Sequence, residues 1–195
     1  MHQSTTLILA SASPRRRELL ASLGFPFQVQ QSNVDEHVSR ELAPEQIAET
    51  LARRKAQAVA GKLAAGLVIG SDTIVVLNGE VLGKPRDEAD ACRMLSSLQG
   101  QEHLVVTGVA VVDAETGRTE CGHSATRVKM RPLSEQEIKA YIATGEPMDK
   151  AGSYAIQGIG ATFVERIVGD YFAVVGLPLY LTAQLLSRFG VSVLK

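Results

Sequence analysis

Residues Leu67–Leu82 read LVIGSDTIVVLNGEVL, two apolar runs parted by a polar pair. Leu67-Val68-Ile69-Gly70 is too short for a helix and too apolar for a surface, so it predicts a buried strand ending at Ser71-Asp72. Ile74–Leu77, the dipeptide Asn78-Gly79 and Glu80–Leu82 then predict a β-hairpin, because Asn-Gly accepts the positive φ angles of a two-residue turn. A buried strand feeding a hairpin is the signature of a sheet with both parallel and antiparallel members.

The pattern extends in both directions. Leu7-Ile8-Leu9-Ala10 predicts a short buried strand, followed by a serine loop and a helix over roughly 14–23 that Gly24 stops. Phe25–Val29 alternates weakly, and Pro44 opens a helix through IAETLARRKAQAVAGK. Downstream, Asp87 begins a helix closed by Gly100, and Leu104–Val112 and about 119–130 predict long strands joined at DAETGR. Ser134 and Glu137 form a capping box. ATFVERIV and DYFAVVG predict two more strands, and a last helix after Leu177-Pro178 ends before Gly190. Helical crossovers early and hairpins in the middle define an α/β fold with a mixed sheet and flanking helices. No repeat, low-complexity run or linker divides the chain, so a single domain over residues 1–195 is expected, with the middle hairpins able to form a lobe.

Composition narrows the function. Of 195 residues, 45% are hydrophobic and 21% charged, the balance of a globular enzyme. A net charge of -1 and only 5% aromatic residues argue against stable nucleic-acid binding, so any basic cluster is local. Cys92 and Cys121 match no zinc or redox spacing and read as thiols in a reducing compartment. The four histidines are scattered. The N-terminal apolar run is too short for a signal peptide and no later run is long enough to span a membrane, so a cytoplasmic protein is expected.

Three features violate the rules of simple helices and strands. In SASPRRRELL, Ser11–Leu20, Ser13 and Pro14 suit a helix start, yet arginines follow where the helix dipole is already positive. At about 100° per residue, Arg16 falls near the middle of the face defined by Leu19, Leu20 and Leu23, Arg15 at its edge and Arg17 opposite. Either carboxylates such as Glu18 pair with this charge at the surface, or the strand–loop–helix start is an anion site suited to phosphate. In the second helix, Lys55 sits within the stripe Ile47, Leu51 and Ala58. It either snorkels to water or faces an anion, and Lys84 in the loop after the hairpin is a second candidate cation. No GxxxxGK[ST] motif is present, so any phosphate cradle differs from a Walker loop. Asp72, between two buried runs, either caps a turn or serves as a paired or metal-bound carboxylate. Asp35-Glu36 adds carboxylates in a polar loop. AGSYAIQGIG, Ala151–Gly160, is a set of tight turns or a place of close backbone approach to a ligand, with Gln157 offering a donor and an acceptor.

LILASASPRRRELL, NVDE, LARRKA, IGSDTIVVLNGEVLGKP and DKAGSYAIQGIGATFVERIVGDYFAVVGLPL, in this order, resemble the Maf-type nucleotide pyrophosphatases over about Leu7 to Phe189. The resemblance implies an inosine triphosphate pyrophosphatase-like fold with a cleft between two lobes. It also implies hydrolysis of a nucleoside triphosphate to the monophosphate and pyrophosphate with a divalent cation, Mg, Mn or Co. By that resemblance Asp72 is the proton acceptor and a metal ligand, and Glu36 a metal-site carboxylate. Ser11, Arg15, Arg16, Lys55 and Lys84 line the phosphate and catalytic site. Arg15, Thr73 and Gln157 are similar to the branch acting on dTTP and UTP, whereas the 7-methyl-GTP branch carries Trp, Gln and Glu there. Ser71, where relatives often have Ala, is expected to be neutral, and a homodimer is expected.

The alternatives are a pyrophosphatase for 7-methyl-GTP or modified nucleotides, and a nucleotide-sensing binder linked to cell division that does not hydrolyse its ligand. A binder has no need of a water-activating carboxylate, so the hydrolase is the reading the residues favour.

Overall fold

The computed structural model describes residues 6–35, 37–38 and 42–194. The chain forms two compact units, each assembled from separated stretches. The first comprises Met1–Asp72, Thr107–Ser124 and Gly176–Lys195, and the second Thr73–Val106 and Ala125–Val175. The strands are β1 (Leu7–Leu9), β2 (Phe27–Val29), β3 (Leu67–Leu77), β4 (Glu80–Leu82), β5 (Glu102–Asp113), β6 (Thr119–Met130) and β7 (Val164–Val168). The helices are α1 (Pro14–Ser22), α2 (Pro44–Ala60), α3 (Glu88–Leu98), α4 (Glu135–Ala143), α5 (Tyr171–Val175) and α6 (Leu179–Ser187). The sheet runs β2-β1-β3-β5-β6-β7, with β4 paired to β3. β1 is parallel to both β2 and β3, and β4 and β7 are antiparallel to β3 and β6, so the sheet is mixed as expected.

In the first unit, strand alternation sorts the core into two layers. Leu7, Leu9, Leu67, Ile69, Val109 and Val111 pack with Leu20 of α1 and Leu185 and Leu186 of α6. Ile8, Val68, Ala110 and Val112 pack with Ala52, Ala56 and Val59 of α2. Two glycines set the depth of α2. A Cβ at Gly70 would collide with the Ala52 carbonyl and the Ala56 nitrogen, and one at Gly108 with the Ala48 carbonyl. Helix backbone rests directly on strand backbone here, which no larger residue permits. The second unit has its own core, in which Val75, Leu95, Val105, Val128, Met130, Tyr141 and Phe163 cluster.

Three expectations are corrected. β3 does not end at Ser71-Asp72 but runs unbroken through Leu77. The polar pair sits inside a buried strand because both side chains find partners. DYFAVVG is not a strand: Asp170 Oδ1 accepts hydrogen bonds from the Phe172 and Ala173 N–H groups, capping the short helix α5 despite its β-favouring residues. The first residues of ATFVERIV belong to the 3₁₀ segment Gly158–Phe163, leaving β7 to start at Val164. The hairpin holds, with Asn78 at φ 51° and Gly79 at φ 83° as a two-residue turn of that type demands.

Candidate active site

The α1 start is built as the sequence predicts. Ser13 is the N-cap, its Oγ facing the Arg16 N–H, and Pro14 occupies the first turn. Ser11, buried after β1, accepts a hydrogen bond from the Ser13 N–H through Oγ at 3.1 Å. No acidic residue lies in the first turn. Arg17 is exposed, whereas Arg15 and Arg16 are half-buried. Arg16 is oriented by the chain itself: its Nε donates to the Gly176 carbonyl at 2.8 Å. Arg15 has no carboxylate partner among the described residues.

Lys55 and Asp72 are brought together. Lys55 lies on the ridge Ile47–Leu51–Lys55–Val59, spaced i, i+4 along the sheet-facing side of α2. Ala58, assigned to this stripe from sequence, is only half-buried, and Ala52, Ala56 and Val59 complete it instead. Asp72 follows Val68 and Gly70 at the strand period of two and so faces the same helix. Lys55 Nζ donates to Asp72 Oδ1 at 2.5 Å, with side-chain exposures of 13% and 11%. The pair satisfies a carboxylate that a buried strand could not otherwise hold. Capping of a turn, the other reading of Asp72, is excluded by its place inside β3.

Ser71, expected to be neutral, has hydrogen-bond partners that the sequence does not reveal. It points to the opposite face of β3, is fully buried, and its Oγ reaches the Gly108 carbonyl at 3.0 Å and the Gly176 carbonyl at 2.9 Å. A serine between apolar residues gives no local sign of partners so distant in sequence.

In the second unit, Thr73 is half-buried on β3, directly after Asp72. Lys84 is exposed in the loop after β4. That loop is tied to the glycine-rich segment by the Gly152 N–H, which donates to the Gly83 carbonyl at 3.0 Å. Gln157 is exposed at the start of the 3₁₀ segment Gly158–Phe163. The glycines around it serve packing within the chain. Added Cβ atoms at Gly152 and Gly158 would press on Val75 and the Glu146 carboxylate, and one at Gly160 on the Ala155 carbonyl and Tyr141 hydroxyl. Glu146, not singled out from sequence, is the anchor. Its carboxylate accepts from the Ile159 N–H at 3.1 Å, the Gly160 N–H at 3.0 Å and the Tyr141 hydroxyl at 2.9 Å. Burial pushes its pKa up, but the Gly160 and Ile159 N–H bonds and the tyrosine outweigh this and lower it.

Glu36 lies outside the described residues. Among those described, no three His, Cys, Asp or Glu side chains cluster as a metal site. The Asp72 carboxylate would offer one hard-oxygen ligand, and a small divalent cation bound through one or two carboxylates takes its remaining ligands from water and substrate phosphates. The donor set therefore fits a cation that arrives with a phosphorylated substrate. No described helix is long and apolar enough to cross a membrane.

A family model described as Maf-like protein matches residues 6–189. The chain is 57% identical over 187 residues to a protein of Moorella thermoacetica named dTTP/UTP pyrophosphatase, covering 96% of each chain. It is 53% identical over 188 residues to a protein of Pelotomaculum thermopropionicum with the same name, covering 96% of this chain and 98% of the relative. A third protein of that name, from Vibrio cholerae, is 56% identical over 184 residues, 94% of this chain and 97% of its own length.

Proposed function

The chain belongs to the Maf-like protein family, and we propose that it hydrolyses dTTP and UTP to the nucleoside monophosphate and pyrophosphate. The observation that carries the reading is Asp72, a carboxylate inside the buried strand β3 held by Lys55 of α2, since binding a nucleotide alone does not require a water-activating carboxylate. Near-full-length identity to proteins named for this activity supports the substrate class. The single family match over residues 6–189 supports one Maf domain.

In the reaction a water oxygen bonds to the α-phosphorus as the bond from that phosphorus to the α–β bridging oxygen breaks. Pyrophosphate leaves with the electron pair of the broken bond. Asp72 accepts the proton of the attacking water, and Lys55 holds the carboxylate in place. Arg15, Arg16 and Lys84 neutralise phosphate oxygens, and Ser11 and the α1 N-terminus add donors. A divalent cation, Mg, Mn or Co, held by Asp72 and Glu36, would supply electrophilic polarisation of the phosphate. Gln157 presents one acceptor and one donor, the pattern that the O4/N3 edge of uracil or thymine complements, with Thr73 and Arg15 also on the selective side. By the same family reading the enzyme works in the cytoplasm as a homodimer.

A panel of triphosphates assayed for pyrophosphate release tests the proposal. Release from dTTP and UTP well above that from 7-methyl-GTP is expected; intact dTTP after incubation at saturation would favour a binder that does not turn over its ligand.

A further inference from the structure

We infer that Ser71 is a positioning residue for Arg16, acting through the Gly176 carbonyl; the inference rests on the phosphate-binding role proposed for Arg16. The Gly176 carbonyl accepts two hydrogen bonds, from Arg16 Nε at 2.8 Å and from Ser71 Oγ at 2.9 Å. Gly176 has φ 131°, a conformation that other residues rarely adopt, so the backbone that presents this carbonyl favours glycine. Ser71 is fully buried and its hydroxyl has a single proton to share between the Gly176 and Gly108 carbonyls. It thereby pins the chain at residue 176 to the sheet.

Strand alternation gives this arrangement its consequence. Ser71 and Asp72 are consecutive in β3 and project to opposite faces, Asp72 to Lys55 and Ser71 to the carbonyl that orients Arg16. One dipeptide thus registers the water-activating carboxylate and a phosphate cation against the same strand. Ser71, expected to be neutral from sequence, is a buried hydroxyl that shares an acceptor with Arg16.

The test is a double-mutant cycle between Ser71→Ala and Arg16→Lys, a change that keeps the charge but removes the Nε donor. Steady-state kinetics with dTTP are read for all four proteins, and thermal unfolding confirms that each is folded. Ser71→Ala alone should raise KM by roughly fivefold with kcat little changed, the scale of one hydrogen bond. In the Arg16→Lys background the same change should have no further effect on KM. An equal rise in both backgrounds, or none in the first, would overturn the inference. Arg16→Lys and Arg16→Ala proteins that bind and cleave dTTP like the parent would remove Arg16 from the phosphate site, and the inference with it.

Discussion

Lys55 Nζ and Asp72 Oδ1 lie 2.5 Å apart, on a helix and a strand whose close approach depends on Gly70. The pair is mostly screened from water, at 13% and 11% side-chain exposure. Removing one partner of such a pair leaves a buried charge uncompensated, which is costly. Lys55→Met should therefore lower unfolding free energy by about 2–4 kcal/mol in urea titration. Adding Asp72→Asn to that variant should restore part of the loss, because the orphaned charge is then gone. An additive loss would show that the two groups do not act as a pair.

Gly108→Ala should be among the most damaging small substitutions in the first unit. Its Cβ would meet the Ala48 carbonyl and the Glu49 nitrogen, both backbone, so no side chain can swing aside. A loss of about 2 kcal/mol or more is expected, together with reduced turnover, since any shift of α2 carries Lys55 with it. Unfolding midpoints and pyrophosphate release measured on the same preparation check both parts.

The legible share of this protein follows a physical line. Elements whose register depends on local chemistry, such as the Asn78-Gly79 hairpin, the Ser134–Glu137 capping box and the Pro14 and Pro44 helix starts, were readable from residues alone. Arg16 and Lys55 stood out because charge fell on a buried stripe. What escaped were features decided by distant partners. β3 continues through Ser71-Asp72 because Gly176, Gly108 and Lys55 satisfy the pair. α5 forms where β-favouring residues predicted a strand, because Asp170 caps it. Glu146 carries no local mark of its role, since the N–H groups it holds lie 13 and 14 residues downstream.

Acid should weaken the fold through His103 before it protonates Asp90 and Glu137. His103 is buried on β5, with Nε2 2.7 Å from the Tyr154 hydroxyl, and burial lowers its pKa from 6.5 to about 4. Its folded pKa is depressed, so the unfolded chain binds the extra proton. Stability is then complete above pH 6.5 and declines as pH falls toward 4, by roughly 3 kcal/mol in all. Asp90 and Glu137, held at about 2 by their hydrogen bonds to Arg86 and Ser134, contribute only at lower pH. Urea midpoints between pH 7 and 4 should slope in the parent and flatten in His103→Gln; an unchanged slope would exclude His103 as the cause.

Gln157→Glu should alter substrate choice without unfolding the second unit. The side chain is exposed, and the loop beneath it is held by Glu146 instead. A carboxylate replaces an amide donor with an acceptor, so kcat/KM for UTP should fall by about tenfold or more relative to 7-methyl-GTP. An unchanged ratio would remove Gln157 from base recognition.

In the proposed mechanism Asp72 takes the proton of the attacking water. Asparagine is nearly isosteric and keeps an oxygen for the Lys55 hydrogen bond, so Asp72→Asn, although less stable for leaving the Lys55 charge unpaired, should still fold and bind dTTP. Its pyrophosphate release at saturating dTTP and metal should drop by about 100-fold or more. Release near the parent rate by a folded Asp72→Asn protein would contradict the account.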